Sequence, residues 1–280
     1  MIGNSNGFKW IQSMNDELRL LEKRVFEKPK SASAEDLDKL AKFYWEEYAK
    51  ERNIRKKIKP IRKAAYFAAR AVKAGKEDLM DLELYLRILR AERKSTNPAY
   101  ENGKNFSLVT GKYLQISGLG EVKILREIKG GMAIESGTVG VGESGILNLK
   151  DIDFSKQDTV MIEIMQRGQA VFVDAGGDGN MGAKIRLIDS PEPVLKPTEY
   201  RKTVGASEVY VINLPKGKLR MADAWDLAEG TGGVGLEVNP GNYKIAVYML
   251  EDRSFFGFWA VLCKTDNGAV NEVREIEALG

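Results

Sequence analysis

The sequence predicts an α + β protein with its two kinds of structure in separate domains: an N-terminal helical bundle, then an all-β region of sandwich or barrel-like form. Three observations lead there. Of 28 glycines, only Gly3, Gly7, Gly75 and Gly103 precede residue 105. Around the same point the apolar period changes from about 3.6 residues to about 2. Charge divides there too: residues 1–104 carry 24 basic and 16 acidic side chains, a net of +8, whereas residues 105–280 carry 19 and 24, a net of −5.

The helices follow in order. A first runs from about Asn15 to Glu27, with Leu18, Leu21 and Val25 inward. Leu37, Leu40, Ala41, Tyr44 and Tyr48 keep helical spacing in a second, opened by Ser33-Ala34-Glu35-Asp36 in the manner of a capping box. Ile61, Ala64, Ala65, Ala68 and Val72 form the small-residue face of a third, with Pro60 in its first turn and Gly75 at its end. Leu79, Leu82, Leu86 and Leu89 mark a fourth, behind Glu77 and Asp78, whose charges favour a helix start. These helices make up a domain over 1–97, with 98–106 as a polar linker around Pro98.

Beyond it, short alternating runs separated by glycine turns read as strands: Tyr113–Ile116, Glu121–Leu125, Met132–Glu135, Thr159–Ile164, Ala170–Asp174, Lys184–Ile188, Val209–Ile212, Lys244–Met249 and Phe258–Cys263. A weak internal duplication runs through them. Gly111–Ile116 resembles Gly217–Met221, Val139-Gly140-Val141 resembles Val234-Gly235-Leu236, and Gln169–Asp174 resembles Trp259–Lys264. Read as real, it yields two tandem β modules, 107–189 and 207–280, joined by the proline-bearing connector 190–206. Chance likeness among glycine-rich strands is the competing reading.

Composition excludes much chemistry. The chain has no histidine and one cysteine, Cys263. No Ser-His-Asp or Cys-His machinery can be assembled, and the usual ligand sets for zinc, copper and haem are missing. No cofactor is expected, and the balance leans away from an enzyme. A single thiol rules out an internal disulfide and suits a reducing compartment. No apolar run approaches the roughly 18 residues that span a bilayer, and the N-terminus lacks a secretory h-region. The expected location is the cytoplasm, without a membrane partner.

The candidate sites are few. Between Arg52 and Lys76 stand ten lysines and arginines and no acid. Lys56, Lys57, Lys59, Arg62, Lys63, Arg70 and Lys73 suit phosphate contacts, with Tyr66 and Phe67 as stacking groups. The plainer reading, and the favoured one, is a solvated face, or one paired with the acidic β half or with Glu46, Glu47 and Glu51. Asp174, Asp178 and Asn180 in a glycine-rich loop offer oxygen ligands for Ca²⁺, but a hairpin whose Gly and Asn residues adopt positive φ explains them as well. Asp223 and Asp226 flank Trp225; a carboxylate pair or sugar platform competes there with a simple helix cap. Cys263, after Phe258–Leu262, reads as a buried, inert thiol.

Three functions are therefore carried forward. The first is a non-enzymatic intracellular interaction protein of bacterial or phage origin: an inhibitor, an immunity-type neutraliser or an assembly component. It would use exposed aromatics such as Trp225, Tyr243, Phe255 and Phe256, with a protein as its partner and homo-oligomerisation left open. The second is nucleic-acid binding through 52–76. The third is a carboxylate-based hydrolase or transferase at Asp223 and Asp226.

Overall fold

The structure, a computed structural model, describes residues 5–95, 100–145, 156–252 and 255–279. Helix α1 (Ser5–Glu27) leads into α2 (Ala34–Lys50), which Ser33 starts by accepting the Asp36 amide on its hydroxyl at 3.0 Å, as the motif predicts. Helix α3 spans Ile54–Lys73, so Pro60 lies inside it rather than in its first turn. The reason is Asn53, whose Oδ1 accepts the Arg55 and Lys56 amides at 3.0 and 3.3 Å and starts the helix earlier than the proline would. Its far end closes at Gly75, where φ is +100° and the Lys76 amide reaches back to the Ala71 carbonyl at 2.9 Å. Helix α4 covers Leu79–Ser95.

A fifth helix, α5 (Tyr100–Ile116), corrects the expected strand Tyr113–Ile116 and takes in most of the 98–106 segment. Phe106, Val109 and Tyr113 keep helical spacing and are buried. Gly103 lies against Arg201, where a Cβ would make an ordinary contact 3.5 Å from the Arg201 Cα, so the helix tolerates this glycine rather than requiring it. The expected strand Thr159–Ile164 is likewise helical, in α6 (Gln157–Gln166), with Met161, Ile164 and Met165 buried on one face.

The strands are β1 (Lys123–Ile134), β2 (Thr138–Glu143), β3 (Ala170–Asp174), β4 (Gly179–Asp189), β5 (Thr203–Ala206), β6 (Tyr210–Leu214) and β7 (Lys218–Asp223). After the short helix α7 (Ala224–Glu229) come β8 (Val234–Glu237), β9 (Gly241–Asp252), β10 (Phe255–Thr265) and β11 (Glu277–Ala278). One sheet has the order β1-β4-β10-β9-β5, with β6 also on β9; the other runs β11-β3-β2-β7-β8. The β4–β10 and β3–β11 pairs are parallel and the rest antiparallel. Glu121–Leu125 and Met132–Glu135, read as two strands, largely belong to the single strand β1, whose middle is exposed and does not alternate.

The two β halves of the sequence interleave. Each sheet draws two strands, β1 and β4 or β2 and β3, from before residue 190, and the others from after it. The landmarks of the duplication part accordingly. Gly111–Ile116 is helical while its counterpart runs into β7; Val139–Val141 and Val234–Leu236 share one sheet; Gln169–Asp174 and Trp259–Lys264 lie in different ones.

The packing forms layers. On β9, Ile245, Val247 and Met249 face the core between the sheets, while Ala246, Tyr248 and Leu250 face the helices. On β10, Phe258, Ala260 and Leu262 alternate with Trp259, Val261 and Cys263 in the same way. A strand covered on both faces reads as an unbroken apolar run, which is why these two are so hydrophobic. At the outer face of β4, Lys184 Nζ and Arg186 Cζ lie 3.6 and 4.9 Å from the Trp259 ring centre. The protein is thus a layer of helices on one sheet, backed by a second sheet. Among the described residues no helix is long and apolar enough to cross a membrane.

Candidate functional site

The basic run divides by helix geometry. Ile61, Ala64, Ala65, Phe67, Ala68, Ala71 and Val72 are buried on one side of α3. Arg55, Lys59, Arg62, Tyr66, Arg70 and Lys73 recur at steps of three or four residues on the opposite side. Over Arg55–Lys73 that stripe is about 27 Å long at the helical rise per residue. Its inner face packs against α2, α4 and α5 rather than the acidic strands. Arg55, Lys56, Lys59 and Lys73 make no ion pair with any described residue, so the acids of the β half and Glu46, Glu47 and Glu51 leave them unneutralised, whereas Arg62 attracts the Glu92 carboxylate of α4.

Other members of the run stand off the stripe, and Lys76 pairs with Asp81 at 3.0 Å. Lys63 is half-buried and committed inward: its Nζ lies 2.7 Å from Glu22 Oε1 and donates to the Tyr44 hydroxyl at 3.0 Å. Burial alone would lower its pKa; the bonds to Glu22 and Tyr44 outweigh that and hold it above the ordinary lysine value. Lys57 turns the other way, with its Nζ 5.1 Å from the ring centre of Tyr48.

At the middle of the stripe stands an aromatic pair the sequence half revealed. Tyr66, 43 % exposed, stacks on Phe26 of α1, 52 % exposed, with ring centres 6.0 Å apart and planes 13° from parallel. Arg70 lies 5.4 Å over the Tyr66 ring, donates to its hydroxyl and to the Pro29 carbonyl, and so is held in place. Phe67, expected beside Tyr66 as a stacking group, is fully buried.

The other predicted residues play structural parts. Asp223 is buried, and its carboxylate accepts four bonds: from the Trp225 amide at 3.0 Å, the Glu135 and Ser136 amides at 2.9 Å each, and the Ser136 hydroxyl at 2.8 Å. It caps α7 and ties down the turn between β1 and β2. Asp226 accepts from the Thr231 hydroxyl. Trp225 is half-buried against the inter-sheet core. Tyr243, expected to be an exposed aromatic, is buried, because its position on β9 points between the sheets; its hydroxyl donates to the Asn239 carbonyl at 2.6 Å. Phe255 packs edge-on to Trp259, leaving Phe256 exposed.

Asp174 accepts the Gly176 amide at 2.7 Å, and the segment from Asp174 through Asp178 to Asn180 crosses from one sheet to the other rather than closing a hairpin. Gly176, Gly177 and Gly179 adopt positive φ there, but Asn180 does not. Among the described residues no group of three or more His, Cys, Asp or Glu is placed to hold a metal ion. Cys263 is buried, and burial first, then the Glu192 carboxylate, push its thiol far above the ordinary range.

One concavity was not foreseen. A cleft of about 260 Å³ opens where α2, α3 and the end of α4 meet β6 and the C-terminal segment. Trp45 and Tyr48 of α2 stack within it, 5.4 Å apart and 23° from parallel. At its rim Lys94 pairs with the buried Glu277 at 3.1 Å, and Glu277 also accepts the Glu208 amide at 2.9 Å. Burial alone would lower Lys94; the Glu277 carboxylate outweighs it and holds the ammonium above its ordinary value.

No family model matches the chain. No curated protein matches it either. Among solved structures it is similar to a chain titled "Crocagin biosynthetic gene J", with 13% identity and a TM-score of 0.37 over 50% of this chain and 99% of that one. A likeness at that level carries no argument.

Proposed function

We propose that this chain is a non-enzymatic interaction protein of the bacterial or phage cytoplasm, an inhibitor, immunity-type neutraliser or assembly component, which docks an acidic protein through the outer face of α3. The observation that carries the proposal is the set of cations without an ion pair among the described residues, Arg55, Lys59 and Lys73, along one side of a helix whose other side is buried. An unneutralised stripe is complementary to an acidic surface and speeds encounter with it. The Phe26–Tyr66 pair adds the aromatic and arginine character that dominates protein interfaces.

A second reading, nucleic-acid binding, draws on the same pair, because exposed aromatics among cations also stack on bases. The overall charge of only +3 favours the protein partner, since an acidic patch needs local complementarity alone. The test is capture of partners from the native host at low and high salt, using the wild type and a variant with Lys59, Arg62 and Lys73 changed to Glu. The proposal expects one acidic protein, retained by the wild type and lost by the variant. Co-purifying RNA or DNA, released by salt, would establish the second reading instead. Equal capture by both proteins would remove α3 from either.

A further inference from the structure

The geometry points to the cleft between α2 and the C-terminal segment as a binding site for an organic cation, an ammonium or guanidinium group. This inference does not rest on the α3 stripe. It starts from size: about 260 Å³ lies just below the roughly 300–1,000 Å³ of ordinary ligand pockets, so the space suits one side chain or a small amine rather than a nucleotide.

Charge then sets the class. The lining includes four carboxylates, Glu208, Glu272, Glu275 and Glu277, against Lys57, Lys94 and Arg274. Lys94 is taken up by Glu277 at 3.1 Å and Glu275 at 3.9 Å. Neither Glu208 nor Glu272 makes an ion pair within 4 Å of a described residue. Desolvation first, then Glu277, hold the Glu208 carboxyl above its ordinary value against the longer-range pull of Lys94, Arg87 and Lys57. Glu272 is thus the open carboxylate, and Glu208 is one that a further cation would relieve. Beside them the stacked Trp45 and Tyr48 present an aromatic face, and aromatic faces attract cations when the charge lies within about 6 Å of the ring centre. That attraction is already in use: the Lys57 ammonium stands 5.1 Å from the Tyr48 centre. The protein's own lysine therefore occupies the kind of place an incoming cation would take. An anionic ligand would instead need Lys57 and Arg274, and would face Glu208 and Glu272.

The role of Lys57 separates these cases. In the cation reading it competes with the ligand; in an anion reading it would help. The experiment follows the Trp45 indole and Ala49 amide signals by NMR, titrating Nα-acetyl-lysine methylamide, Nα-acetyl-glutamate methylamide and methylammonium in turn. The lysine probe should shift both signals saturably, and the glutamate probe should not. Lys57→Gln should tighten binding of the lysine probe, whereas Glu208→Gln with Glu272→Gln should weaken it roughly two- to fivefold. Trp45→Ala should abolish the Ala49 shift while the rest of the spectrum remains that of the folded protein. Methylammonium binding as tightly as the lysine probe assigns the site to free amines; weaker binding assigns it to a peptide side chain. No saturable shift with either cation overturns the proposal, as does weaker cation binding in Lys57→Gln.

Discussion

Arg90 Nε donates to the Tyr248 hydroxyl at 2.9 Å, and both side chains are fully buried although 158 residues separate them. This bond joins α4 to β9, and so the helical layer to the sheet beneath it. Arg90 also donates to the Pro193 carbonyl at 3.1 Å, yet its Nη1 has no partner. A buried guanidinium without a carboxylate in contact depends heavily on its neutral acceptors. Tyr248→Phe, which strands the Nε proton, is expected to cost about 1–3 kcal/mol. Arg90→Met removes the buried charge itself and should cost less. Urea unfolding midpoints decide the order, and a larger loss for Arg90→Met would show the guanidinium to be a net stabiliser.

Asp38 and Asp81 form a second cross-helix cluster with Lys42 and Lys76. Lys42 lies 2.9 Å from Asp38 and 2.6 Å from Asp81; Lys76 lies 3.0 Å from Asp81, and the Tyr85 hydroxyl donates to Asp38 at 2.8 Å. Burial alone would raise Asp81, but Lys42 and Lys76 outweigh it and hold the carboxyl below its usual value. A folded-state pKa below the unfolded one gives stability that is complete above the unfolded pKa and is lost as pH falls through the folded one. Stability should therefore drop below about pH 4, and Asp81→Asn should be less stable at neutral pH but flatter over that acid range. Parallel acid limbs for the two proteins would contradict the assignment.

Lysines of the same basic run should separate by environment. Lys59→Gln, on the open stripe, is expected to change stability by no more than about 1 kcal/mol. Lys63→Gln breaks the contacts with Glu22 and Tyr44 and should cost more, because the Glu22 side chain is only 14% exposed. Thermal melts of the two variants in one buffer make the comparison.

Two glycines give opposite expectations. Gly257 on β10 faces Gly182 on the parallel strand β4, and a Cβ there would lie 1.9 Å from the Gly182 carbonyl oxygen. Gly257→Ala must push the strands apart and should cost about 1–3 kcal/mol or more. Gly111 is exposed within α5, with nothing within 4 Å of a Cβ. Gly111→Ala should stabilise by about 0.5–1 kcal/mol. Paired denaturation curves test both signs.

The sequence made the first four helices legible because each buries one stripe of a cylinder, as Leu37, Leu40 and Ala41 do on α2. It concealed α5, since Gly103, Gly111 and the polar run Ser95–Lys104 signal a break, and only the burial of Phe106, Val109 and Tyr113 against the rest of the molecule holds the helix together. It concealed α6 because a short apolar run has the same composition in a buried helix and in a strand. The basic stripe was visible as composition; its direction was not, because pairing with distant acids leaves no local trace. The cleft was hidden altogether. Tyr48 reads as a core position of α2, Trp45 carries no signal of its own, and Glu272 to Glu277 join them only because the chain returns across the molecule.

The parallel pairing of β11 with β3 sets a timetable for synthesis. Glu277 and Ala278 lie alongside Val173 and Asp174, and the Leu279 amide donates to the Asp174 carbonyl at 3.1 Å. On the ribosome, α1 to α4 can emerge and pack before most of the strands have been made. The sheet carrying β2 and β3 must wait with that edge bare until residue 279 has left the exit tunnel, and during that interval the nascent chain is most open to mispairing with its neighbours.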